Sequence, residues 1–184
     1  MEFDRFWQLI EASRVELPPL DQHERLEALL ETLPPEEILD FDRIFTFYSG
    51  LAYRAKLWAA FFIAEGGCSD DHFTDCRSAL IAAGQEAFDR IVVDPDLLAE
   101  HPDIYGYEQV GYAAVSAYET ATGAQMPDVE SEWTHTVEGD AEYGRLGLDP
   151  EYRLDDDPIM ALDFENESAM QALLPRVWAA YGPK

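Results

Sequence analysis

The chain has 184 residues, long enough to bury about 70% of its unfolded surface around one core, so a single domain is expected. Its 38 acidic and 12 basic side chains give a net charge of -26, a field that repels phosphate backbones and anionic headgroups and argues against direct nucleic-acid or membrane binding. With 47% hydrophobic and 12% aromatic residues it has the apolar surface of an ordinary globular protein and needs no metal or disulfide to fold. The acidity has two readings: a solubilising or salt-adapted surface, or a surface that imitates nucleic acid or docks on a basic protein partner.

Met1 to Arg5 carries neither a basic stretch nor a following apolar segment, so no export signal is read there. The longest apolar run, Leu57 to Ala64, is too short to span a bilayer, and a cytoplasmic location is expected. Phe3, Phe6, Trp7 and Ile10 recur at helical spacing and predict a first helix ending before Pro18-Pro19. Asp21 with Glu24 forms a capping-box pattern for a second helix, whose buried stripe is Leu26, Leu29, Leu30 and Leu33. Pro35 suits a first helical position, and the pattern from Ile38 towards Ala64 predicts a long core helix in which Gly50 permits a close crossing or marks a break.

Gly66-Gly67 ends that helix, and Ser69 followed by Asp70 and Asp71 starts another, because a serine oxygen satisfies orphan amides and carboxylates complement the dipole. Phe73, Cys76, Leu80, Ala83 and Phe88 form its inner face. Asp94-Pro95-Asp96 opens a short turn through Leu97, Leu98 and Ala99, and Glu108 to Thr122 predicts a helix closed by Gly123. From 127 to 165 the periodicity fades into an acidic, irregular segment in which Trp133 to Val137 reads as strand or loop anchor. A terminal helix follows over Glu165 to Ala180, with Asn166 as its cap and Pro175 as a kink or restart. The fold class is therefore all-α or predominantly α, a single-domain multi-helix bundle with an irregular acidic segment before its last helix.

Leu57-Trp58-Ala59-Ala60, Gly66 to Phe73, Arg77, Leu80-Ile81 and Gly84 together resemble an uncharacterised bacterial family, the domain of unknown function numbered forty-two forty. Phe6 to Ile10 and Leu174 to Trp178 are similar to that family's two ends. Cys76 stands where the family commonly has an aromatic and Ala79 where it has a tryptophan, and both changes remove bulk. The resemblance implies a helical fold and a polar centre in this segment, and no established activity.

The binding candidates are Trp58, Ser69, Asp70, Asp71 and Arg77. Asp70 and Arg77 lie seven residues apart on one helix and face the same way, close enough for a relay through an intervening side chain; an acidic partner is expected for Arg77. The Trp58 indole is expected to donate to Asp70 or Asp71. The same residues also serve as plain architecture, with Ser69 as a cap and the aspartates in its first turn.

No catalytic residue, cofactor or metal ligand is assigned. Cys68, His72 and Cys76 are spaced by four, but Cys68 precedes the cap and no second ligand pair follows, so stoichiometric zinc is not expected. On a continuous helix the two cysteines would stand about 12 Å apart, beyond disulfide reach. Asp70, Asp71 and Asp75 lack the loop of a calcium or magnesium site, and neither thiol has a nucleophile signature with His23, His72, His101 or His135. Three functions remain: a non-catalytic interaction module, a hydrolase or metal-dependent enzyme centred on Cys68 to Arg77, and an immunity or antitoxin-like protein that neutralises a basic partner.

Overall fold

A computed structural model describes residues 1–14, 21–128, 133 and 136–183, and among these every regular element is helical. The chain opens with α1 (Phe3–Ser13), whose Phe6, Trp7, Leu9 and Ile10 are buried as their spacing requires. Next comes α2 (Gln22–Leu30), where the Glu24 carboxylate accepts the Asp21 amide at 2.8 Å, as the capping-box pattern predicts.

The predicted long core helix is two: α3 (Pro35–Leu51) and α4 (Ala55–Glu65), joined through Ala52, Tyr53 and an extended Arg54. Two arginines take over orphan carbonyls at the end of α3. Arg54 Nε donates to the Leu51 carbonyl at 3.0 Å, and Arg77 Nη1 donates to that of Ser49 at 2.9 Å. Cations at a helix C-terminus are favoured by the dipole, so the break is stabilised where a continuous helix would have none of these contacts.

Gly66 closes α4 in the left-handed region, and Ser69 begins α5 (Asp70–Ala82) by accepting the His72 amide at 3.2 Å. The inner face predicted to run on to Phe88 is divided at Gly84, which has φ +93° and starts α6 (Gln85–Val93). A side chain at Gly84 would fall 2.2 Å from Glu11 Oε1 and 2.4 Å from Arg14 Nη1. Glycine is called for there by the dihedral; the Glu11 and Arg14 atoms that a side chain would meet are the ends of flexible side chains that can move aside.

A 3-10 turn over Pro95–Glu100 leads to α7 (Glu108–Gly111) and α8 (Ala113–Thr122), which replace the single predicted helix and end at Gly123, φ +69°. The acidic segment is more ordered than its composition announces. Thr136 caps α9 (Val137–Leu146) through the Gly139 amide, and the Tyr48 hydroxyl donates to Glu142 at 3.0 Å, fastening α9 to the core. No strand occurs among the described residues, and part of the Trp133 to Val137 run lies outside them. Two short 3-10 turns precede α10 (Glu167–Leu173), capped by Asn166, and α11 (Pro175–Tyr181), where Pro175 restarts the helix.

The core is aromatic: Phe6, Phe41, Tyr48 and Phe88 are fully buried or nearly so, and Trp7 and Tyr48 stand 4.7 Å apart between ring centres. Around it α8 packs on α2 and α3, α7 on α5, and α11 on α4. No described helix is long and apolar enough to cross a membrane.

Candidate functional site

The break between α3 and α4 turns Tyr53 towards α5. There its ring stacks on Phe73, whose other neighbour is Trp58, parallel to it within 13° at 5.1 Å. The guanidinium of Arg77 lies 4.6 Å above the Tyr53 ring and 5.2 Å from that of Phe73, a double cation–π arrangement. Nε donates to the Phe73 carbonyl at 3.3 Å, Nη1 to the carbonyl and hydroxyl of Ser49 at 2.9 and 3.1 Å, and Nη2 to the Thr74 hydroxyl at 2.8 Å.

The expected carboxylate partner is absent: no ion pair within 4.0 Å joins Arg77 to any described residue. Asp70 is instead taken by the Tyr53 hydroxyl at 2.9 Å, so the intervening side chain of the relay is Tyr53. Asp70 acts on Arg77 only through space, and burial pulls the guanidinium below its usual range while still leaving it charged. Burial, then the hydrogen bond and charge of Asp70, push the Tyr53 phenol up.

The other candidates fall at the edge of this arrangement. Trp58 donates its indole N–H to the Cys68 carbonyl at 2.9 Å and not to either aspartate, because Cys68 ends the glycine turn directly beneath the ring. Ser69 is the helix cap, and Asp71 is exposed in the same first turn. The candidates thus separate into an architectural set, Trp58, Ser69 and Asp71, and a linked pair, Asp70 and Arg77.

Sequence reasoning missed the walls. A cavity of about 370 Å³ between α3, α5 and α7 is lined by Arg77 with Asp42, Ser49, Thr74, Asp75, Glu108 and Tyr112. Burial raises the Asp42 carboxyl to about 6, against the opposing charge of Arg43. Asp42 occupies a position of α3 between two apolar stripes, and that placement is its only signal in the sequence. A second cavity of about 370 Å³ opens on the other side of Gly50, where Arg54 lies 4.5 Å over the ring of Tyr152.

The two cysteines are free thiols, and the expected separation along a continuous helix does not apply, since Cys68 precedes α5 and folds back on it. The neighbouring Cys68 thiol, with burial, pushes Cys76 up, while Cys76 in turn draws Cys68 down; Cys68 Sγ itself donates to the Ser69 carbonyl at 3.6 Å. Of the histidines weighed as bases, His135 lies outside the described residues. His23 Nδ1 is 2.7 Å from the Tyr107 hydroxyl.

The helices from α1 to α7, most of α8 and the walls of the Arg77 cavity fall inside one matched segment. Residues 1–120 match the family model described as protein of unknown function (DUF4240), and the chain belongs to that family. No curated protein and no solved structure matches the chain. The Arg77 cavity lies wholly within the matched segment, whereas the Arg54 cavity draws most of its wall from 143–155.

Proposed function

We propose that the chain is a non-catalytic binding module whose Arg77 cavity receives a small dipolar ligand of amino-acid type. One observation carries this reading: in a chain with 38 acidic side chains, the half-buried guanidinium of Arg77 lining this cavity hydrogen-bonds to no carboxylate among the described residues. Its contacts to Phe73, Ser49 and Thr74 occupy four of the five N–H groups of a guanidinium and leave one on Nη2. A ligand carboxylate meeting that group forms a charge-assisted bond, the strong kind in a site partly shielded from water. Asp42, Asp75 and Glu108 on the remaining wall favour a cationic group beside it. The overall charge of -26 opposes a purely anionic ligand, so a zwitterion or a dipolar cation fits best. The volume sits at the small end of the usual range for ligand sites.

The test is an NMR titration of the full chain with L-lysine, its Nα-acetyl derivative and its amide. Saturable shifts at Ser49, Thr74 and Arg77 with lysine, weaker with either derivative and lost in a folded Arg77→Met variant, are expected. Equal responses to all three compounds, no response, or an unchanged response in the variant would refute the reading.

A further inference from the structure

On the face of α5 next to that of Arg77, His72 and Cys76 stand one turn apart, and the fold brings Glu65, the last residue of α4, against them. The ligand atoms of Glu65, His72 and Cys76 all lie within 4.8 Å of one another. The sequence offered no second ligand pair beside His72 and Cys76; the sharp glycine turn between α4 and α5 brings one further ligand, Glu65, against them. Glu65 Oε2 and His72 Nε2 are 3.6 Å apart. Bonds of zinc type to oxygen, nitrogen and sulfur in a tetrahedron set ligand atoms about 3.3–3.8 Å apart, so this pair already has the required span.

The surroundings orient the ligands. His72 Nδ1 is 4.0 Å from Asp75 Oδ2, longer than a hydrogen bond, so this carboxylate acts on the ring through its charge. The other oxygen of Glu65 accepts the Gly106 amide at 3.2 Å. Gly106 lies so close over the imidazole that a side chain there would fall 2.5 Å from His72 Cε1. Cys76 is fully buried while His72 and Glu65 keep 37% and 23% of their side chains exposed, which gives a shielded sulfur and an open approach.

We propose that Glu65, His72 and Cys76 form a binding site for a divalent cation of the zinc class. Mixed carboxylate, imidazole and thiolate donors favour zinc or cobalt over magnesium and calcium, which prefer oxygen alone. Binding converts the Cys76 thiol to a thiolate and releases its proton to solvent.

The test is titration of the reduced, metal-free full chain with cobalt(II), reading the thiolate-to-metal absorption band, followed by displacement with zinc(II). One equivalent of cobalt should saturate the band, and zinc should bleach it. Cys76→Ser should abolish the band. Because Cys76 is buried, the partly exposed residues give an independent arm: Glu65→Gln and His72→Gln should weaken binding at least about tenfold, with metal-free melting temperatures kept. No thiolate band, weak binding of several ions without one, a band that persists in Cys76→Ser, or parental affinity in both Glu65→Gln and His72→Gln would overturn the proposal.

Discussion

Asp96 is the sharpest structural test of the fold. Its carboxylate is 6% exposed and accepts the backbone amides of Arg176 and Val177, each at 2.9 Å, and Nε of Arg176 at 3.2 Å, which pins the start of α11 to the turn after α6. Burial alone would raise this carboxyl; the two amides and the guanidinium outweigh it and hold Asp96 below its ordinary 3.8. Asp96→Ala strands two amides at a helix start, and each orphaned buried donor costs about 1–3 kcal/mol, so a loss of about 2–5 kcal/mol is expected. At about 2–4 °C per kcal/mol for a chain of this size, that is a fall in Tm of roughly 5–15 °C at pH 7. A group lowered in the folded state stabilises above its unfolded value and loses that contribution as pH falls through the folded one. The difference between parent and variant should therefore stay constant from pH 7 to about 5 and narrow below about 4. Thermal unfolding by circular dichroism across that range reads it. A Tm within about 1 °C of the parent at pH 7, or a gap that does not narrow in acid, would show that the network does not hold α11 in place.

Ser69→Ala should cost about 1 kcal/mol in urea denaturation, because the His72 amide loses its acceptor; an unchanged midpoint would mean that the cap is idle. Gly84→Ala should cost about 1–3 kcal/mol from the positive φ, and an unaffected Tm would contradict the backbone geometry at this junction. Asp42, raised to about 6, has the opposite sign to Asp96: between its unfolded value and about 6 the folded chain binds the extra proton, so stability falls as pH rises. Asp42→Asn should thus stabilise by about 1–2 kcal/mol above pH 6, allowing for partial exposure, and by nothing at pH 4; a variant no more stable than the parent at pH 7 would refute the buried charge.

The helices were legible wherever a local rule suffices: the stripe of α1, the Asp21–Glu24 box, the Ser69 cap, Asn166 and Pro175 all act within four residues of themselves. The breaks were not legible for the same reason. Nothing near Tyr53 in sequence announces that Arg54 and Arg77 will satisfy the end of α3, and the second of these comes from another helix. Gly84 looks like any glycine until Glu11 and Arg14 are packed against it. Supply misled the reading of Arg77: an excess of carboxylates does not aim one, and the nearest, Asp70, is claimed by Tyr53. Glu65 escaped notice because its tie to His72 and Cys76 depends on the angle between α4 and α5. In the acidic segment, high charge masked a helix of ten residues whose Thr136 cap and buried Leu146 are conventional signals.

The binding account turns on whether Arg77 is available to a ligand, and isothermal titration of L-lysine into the parent, Arg77→Lys and Arg77→Met reads this directly. The account predicts one site in the parent, at least about tenfold weaker binding in Arg77→Lys, since a point charge cannot reproduce the planar fork, and none in Arg77→Met, with all three chains equally folded. Lysine binding that is equal in the parent and in folded Arg77→Met would contradict it.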